Sequence, residues 1–387
     1  MARVGLVVLI DALGWSYLKD REFLPGILKF RKDVRTVLGF SCGAIPTLLS
    51  GLAPAQSGHW NLFYYCPEKS PFRWVRLLSP LPNRLINNRV VRRGIRFIVQ
   101  RLSRFGGYFQ IYGVPTELLP YFDICEKEDI YKPGGVPDSI FDKLEEAHIP
   151  YRSYSYHDFS DERIIREARR DLMARKYEFY FIYLSELDAF LHDHCADKLG
   201  VDLQIDRYAE RLDGLYSTAA QCSEEVDFFV LSDHGMTPKR SGFDLIREIA
   251  SLGLSVPQDY IALYDSTMAR FWFFKQVAQA RITQKLGELD CGRTLGAEEK
   301  KRFGIDFPDN RFGDSIFLMK PGVVIEPSFW GNLGPAGMHG FDPEADPDAS
   351  AIFLANRAPE RPLHSLQDVN AVLVDWIDSR MAVGSAG

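Results

Sequence analysis

An α/β fold, with a mostly parallel central sheet covered by helices on both faces and interrupted by cap insertions, is what the 387-residue chain predicts. Three observations point to it. Continuous apolar runs at residues 4–10, 179–184 and 226–231 are rich in β-branched and aromatic side chains, as suits strands buried on both faces of a parallel sheet. By periodicity alone such short runs also suit buried helix. Amphipathic segments at 161–176 and 206–223 lead into the second and third runs, so helix and strand alternate as α/β units require. Each run is followed within a few residues by a carboxylate: Asp11, Asp188 and Asp233. In open α/β sheets ligands gather beyond the carboxyl ends of strands, so separate strand ends can converge on one crevice.

Between the first two runs, residues 34–40 read as a short strand, and residues 45–50 as the first turns of a helix that Gly51 ends. Ser41 then lies near a helix N-terminus, where free backbone N–H groups favour a phosphate, and Pro46 fits only near such a start. Residues 140–147 carry helical spacing, and residues 240–305 read as mixed helix and loop. No internal repeat or low-complexity tract is evident.

A net charge of −6 gives no global attraction for nucleic acid, so an anionic partner must be held by a local patch or by metal, and no nucleic acid polymer is expected. Cys42, Cys66, Cys125, Cys195, Cys222 and Cys291 form no CxxC pair, which suits free thiols in a reducing compartment. Asp11 interrupts the first apolar run too early for a signal segment, and no later run reaches the length of a membrane span. The expected location is cytoplasmic, peripheral to a membrane at most.

The sharpest charge asymmetry lies between Lys69 and Arg104, which hold ten Lys or Arg and no acid between them. Within it Val91, Ile95, Ile98, Leu102 and Phe105 follow helical spacing, while Arg89, Arg92, Arg93, Arg96, Arg101 and Arg104 fall largely elsewhere. A cap helix with solvated arginines accounts for this. An anionic membrane surface or substrate tail is the sharper alternative, given Phe72 and Trp74 nearby.

Asp188 and His192, four residues apart, share a helix face and can point at one ion. His194 points elsewhere on such a helix and is the fallback ligand. Asp233 and His234 sit side by side at a strand end, followed by Gly235, and His339 lies between Gly337 and Gly340, where glycines allow close backbone approach. Taken singly, Ser41 reads as an N-cap serine, and the carboxylates as helix caps or surface residues. Their joint occurrence in this order favours a two-metal phosphoryl-transfer site.

These residues resemble the alkaline phosphatase superfamily, and within it the nucleotide pyrophosphatase/phosphodiesterase branch. Ser41 stands nine residues before Ser50-Gly51-Leu52, with Pro54 and Ser57-Gly58-His59 following, as the family's nucleophile does. Its Asp-x-x-Gly-His element looks like residues 188–192, with Leu191 where Gly is usual, and its Ser-Asp-His-Gly-Met element is matched at residues 232–236. Its late Gly-x-His-Gly element looks like residues 337–340. The resemblance implies one ion held by Asp188, His192 and His339, and another held by Asp11, Ser41, Asp233 and His234. Zinc is the family's usual metal, with manganese as the alternative. Where the family has Phe-Pro-Asn after its nucleophile, this chain has Cys42-Gly43-Ala44, so a phosphate contact is missing or supplied elsewhere.

The resemblance covers roughly residues 1–65, 178–240 and 310–356; the expected division is an alkaline phosphatase-like core in residues 1–65, 151–240 and 306–387, a basic cap at 66–150 and a second insertion at 241–305. The activity it implies is metal-dependent hydrolysis of a phosphate diester or diphosphate through a phosphoserine at Ser41. The alternatives are a phosphomonoesterase or phosphotransferase acting on a lipid-linked or sugar-phosphate substrate, and a catalytically weak protein that docks on a membrane or partner.

Overall fold

The computed structural model describes residues 3–78, 86–103, 105–155, 159–331 and 333–384, with side chains through residue 381. Arg104 and residues 79–85 of the basic segment, and the last residues of the 306–387 segment, lie outside these.

A six-stranded sheet runs in the order Phe30–Val34, Ala351–Ala355, Glu225–Leu231, Arg3–Ile10, Phe179–Leu184, Tyr151–Tyr154. The last four are mutually parallel, and Ala351–Ala355 runs antiparallel to both neighbours. Side-chain alternation splits the central strand between two cores. Val4, Leu6, Val8 and Ile10 face the helix Lys198–Cys222 through Ile205, Leu212 and Leu215, whereas Val7 and Leu9 face Leu48, Leu373 and Ile377. Burial on both faces is why these strands read as unbroken apolar runs. The register aligns Ile10 with Leu184 and Leu9 with Leu231, so the three carboxyl ends reach one edge of the sheet together.

Two local expectations are corrected. The short strand is Phe30–Val34 rather than 34–40: its partner Ala351–Ala355 is only five residues long, and once Val34 has paired with Ala351 the ladder runs out. Residues 240–305, expected as helix and loop, contribute the strands Tyr260–Tyr264, Met268–Phe273 and Gly292–Thr294 to a four-stranded antiparallel sheet completed by Ser315–Met319. The helix Ile140–Glu146 packs Phe141 and Leu144 into the main core beside Phe181.

The basic segment forms the helix Arg89–Ser103, which buries Ile95 and Val99 in a cluster with Phe72, Val75, Phe109 and Ile111. Among the described residues no helix is long and apolar enough to cross a membrane.

Candidate active site

Asp11 follows directly on the central strand, where the chain turns sharply: Ala12 adopts φ 61°, a left-handed conformation that costs a non-glycine residue about 1 kcal/mol. The turn aims the Ala12 amide at Oδ1 of Asp233, 3.3 Å away, and the hydroxyl of buried Tyr183 donates to Oδ2 of Asp11.

Ser41 is the first residue of the helix Ser41–Ser50; Phe40 occupies the N-cap position. Its side chain is therefore not spent on capping, and Oγ lies 2.9 Å from Nε2 of His234. Within Cys42-Gly43-Ala44 the glycine has a packing reason: a Cβ there would lie 3.0 Å from the carbonyl oxygen of Trp60, so glycine lets the Trp60 backbone approach the first turn closely. The neighbouring thiol is no rival nucleophile. Cys42 Sγ faces the Trp60 carbonyl at 3.5 Å, and burial, reinforced by Glu126, raises the thiol pKa well above its ordinary range and so keeps it protonated.

Asp188 and His192 lie on the helix Glu186–His194. The Asp161 carboxylate caps that helix from outside, accepting from the amides of Ser185 at 3.0 Å and Glu186 at 3.2 Å. His192 Nε2 is 3.4 Å from Asp188 Oδ2, while its Nδ1 lies 2.9 Å from the Gly337 carbonyl. That carbonyl can only accept, so Nδ1 carries a proton and Nε2 faces the site.

Asp233 and His234 follow the strand Glu225–Leu231 and are almost wholly buried. Gly235 makes the bend: a Cβ there would collide with the Asp348 carbonyl oxygen. His234 Nδ1 faces the Gly235 carbonyl at 2.9 Å, again leaving Nε2 for the site, 3.4 Å from Asp11 Oδ1 and 3.2 Å from Asp233 Oδ2. His339 is carried in by the pairing of Gly337 and Met338 with Pro238 and Thr237, and by Gly340 at φ 90°. Its Nε2 is 3.6 Å from Asp188 Oδ1.

The seven residues read from the sequence thus meet at one place. Asp188, His192 and His339 form one cluster and Asp11, Asp233 and His234 another, with the donor atoms of each within 4.8 Å of one another. His194 stands apart, its ring on that of Phe190. The donor set fits divalent cations. Asp11 Oδ1, Asp188 Oδ1 and Asp233 Oδ2 are buried without a hydrogen-bond donor. Burial, then the charges of Asp233 and Asp188, raises the Asp11 carboxyl well above the ordinary carboxylate range. Three crowded carboxylates with unused lone pairs and two oriented imidazoles are what a cation relieves. Burial works against charge on His192 as well, but Asp188 outweighs it and raises the imidazole to about 9, so a cation arriving there displaces a proton.

One polar network was not foreseen. Buried Arg270 donates from Nε to Asp265 Oδ2 at 2.9 Å and from Nη1 to the Phe63 carbonyl at 2.8 Å; Asn61 Nδ2 lies 3.4 Å from Asp265 Oδ2, and Trp330 Nε1 donates to Asp265 Oδ1 at 3.1 Å. It ties the segment beside the Ser41 helix to the second sheet. Rings connect the site to the cap, since Phe40 lies 5.6 Å from His339 and 5.8 Å from Trp330, which meets Tyr112 at 4.0 Å.

The sequence matches the model of the type I phosphodiesterase/nucleotide pyrophosphatase family over residues 5–342, a span that encloses every site residue from Asp11 to His339. The chain belongs to this family. It is accordingly a phosphoric ester hydrolase of the alkaline phosphatase superfamily. No curated protein matches it by sequence. Among solved structures, human ectonucleotide pyrophosphatase/phosphodiesterase 5 is similar at 15% identity and TM-score 0.68, covering 97% of this chain and 94% of that one. The murine protein of that name is similar at 18% identity and TM-score 0.67, over 97% and 95%. An inactive murine variant in complex with AMP matches at 18% identity and TM-score 0.67, over 98% and 95%. At these identities the likeness is one of fold.

Proposed function

We propose that this family member cleaves a phosphate diester or diphosphate by transferring the phosphoryl group to Ser41 and then to water, with two divalent cations held by the clusters described. The observation that carries the reading is the placement of Ser41 Oγ, uncapped and 2.9 Å from His234 Nε2, beside the Asp11, Asp233 and His234 cluster. Asp188, His192 and His339 would hold one ion, and Asp11, Asp233, His234 and the Ser41 oxygen the other. Zinc suits this nitrogen and carboxylate set best, with manganese as the alternative. Cations bound there would acidify the Ser41 hydroxyl and draw charge from the phosphoryl oxygens.

The chain's own residues supply the rest. Ser41 Oγ forms a bond to phosphorus as the bond to the leaving oxygen breaks, and the serine proton is lost to solvent. Water then attacks the phosphoserine, releasing the phosphomonoester and restoring the hydroxyl. The Ser41 and Cys42 amides, in the first turn of their helix, have no intrahelical acceptor and suit a phosphoryl oxygen. The AMP complex of the murine relative supports a nucleotide-like phosphate ester as the substrate class.

The test is zinc-supported turnover of an aryl phosphodiester against the matching monoester. A clear diester preference that disappears in Ser41→Ala supports the reading. A monoester preference moves the protein to the phosphatase alternative.

A further inference from the structure

We propose that the helix Arg89–Ser103 is a docking surface for an anionic lipid bilayer. Burial divides this helix unequally. Ile95 and Val99 face the cap cluster, whereas Val90 is 78% exposed, Phe97 69% and Leu102 75%. Arg89, Arg93 and Arg101 are exposed with them. At 100° per residue, Val90, Arg93, Phe97 and Arg101 fall on one side of the helix, so apolar and cationic side chains interleave on the face turned to water.

Exposed leucines or phenylalanines scattered singly need no explanation, but these are not scattered. Of the thirteen large hydrophobic residues exposed among the described residues, five lie between Leu77 and Leu102: Leu77, Val90, Phe97, Ile98 and Leu102. The same part of the sequence carries ten Lys or Arg and no acid from residue 69 to residue 104, on a chain whose net charge is −6. Local charge of one sign against the global balance specifies an anionic partner. The absence of any acid among these residues leaves no alternating ion pairs with which a particular protein surface could set a register. A fluid bilayer matches both components at once, because apolar side chains enter between headgroups while guanidinium groups meet lipid phosphates.

The structure also sorts the arginines. Arg96 Nη1 donates to Gln110 Oε1 at 2.8 Å, and Arg92 Nη2 lies 3.5 Å from the Gly113 carbonyl, so these two fasten the helix to the loop carrying Tyr112. Arg89, Arg93 and Arg101 remain for the membrane. Through Tyr112, Trp330 and Phe40 the docked helix adjoins the wall of the active site, yet it contains none of the site residues. The proposal therefore stands independently of the catalytic reading.

The experiment is co-sedimentation of the full chain with phosphatidylcholine vesicles, with and without phosphatidylserine. Binding is expected only to the anionic vesicles, declining as salt is raised. Arg89→Glu/Arg93→Glu/Arg101→Glu should weaken it by about tenfold or more, with turnover of a soluble aryl phosphodiester unchanged as the check on folding. Phe97→Ser, a single exposed substitution, should weaken binding on its own and decides the matter if the triple variant fails to fold. Absence of binding to anionic vesicles, equal binding to neutral ones, or binding unaffected by these variants would overturn the proposal. So would self-association that Phe97→Ser abolishes, since the face would then belong to a second copy of the chain.

Discussion

The imidazole of His339 stacks on that of His234, ring centres 3.7 Å apart and 14° from parallel. His339 turns Nε2 toward Asp188 while its ring face rests on a residue of the other cluster. The two candidate ion sites therefore share a wall.

His339→Ala should remove a ligand from one site and the packing support of the other. If two zinc ions bind as proposed, the number per chain is expected to fall towards one, and the affinity of the remaining site to weaken by about tenfold, as loss of a ligand's supporting partner does. Metal analysis after equilibrium dialysis reads this out. Two ions retained at unchanged affinity would remove His339 from the ligand set.

Asp161 is a positioning residue for the helix that carries Asp188 and His192. Asp161→Ala removes the acceptor of the Ser185 and Glu186 amides, and should cost about 1 kcal/mol in denaturant unfolding. Metal affinity should drop at the Asp188 cluster alone. Equal loss at both sites would mean general loosening instead.

Gly235→Ala tests the bend after Asp233 and His234. The added methyl meets the Asp348 carbonyl, which is backbone and cannot swing aside. A loss of about 1–3 kcal/mol in stability, typical of overpacking, together with loss of turnover, is expected in thermal unfolding and kinetic assays. Wild-type behaviour would show that the bend is not required.

Glu126 is buried near the site, and burial, with Asp129 adding to it, raises its carboxyl to about 8 from an ordinary 4.5. The folded state thus holds this proton more tightly than the unfolded chain. Its contribution to stability is complete below 4.5, declines as pH rises, and is lost once pH passes about 8. Glu126→Gln should melt higher than wild type in mildly alkaline buffer and near it in acid. A variant with the same pH slope as wild type would remove Glu126 as the source.

The convergence of most of the candidate site was legible in the sequence because its candidate ligands sit at or just beyond the ends of apolar strands, which are local features. Asp233, His234 and Gly235 are adjacent, and Asp188 and His192 are one helical turn apart. What escaped depended on distant contacts. The strand Met268–Phe273 was hidden by Arg270 at its centre, a charge that reads as surface until Asp265 and the Phe63 carbonyl are seen to hold it in the interior. The expected apolar stripe of the basic helix ran through Ile98 and Leu102, whereas the cluster it meets selects Ile95 and Val99 and leaves those two exposed. Which side of an amphipathic helix is covered is decided by the neighbouring element, not by the helix itself.

The central claim is that Ser41 attacks phosphorus before water does. Hydrolysis of a phosphodiester made chiral at phosphorus by sulfur substitution, carried out in oxygen-18 water, tests it most directly, because each in-line displacement inverts the centre. Two displacements, through Ser41 and then water, predict net retention of configuration. Net inversion would mean that water attacks the substrate directly, and would contradict the account.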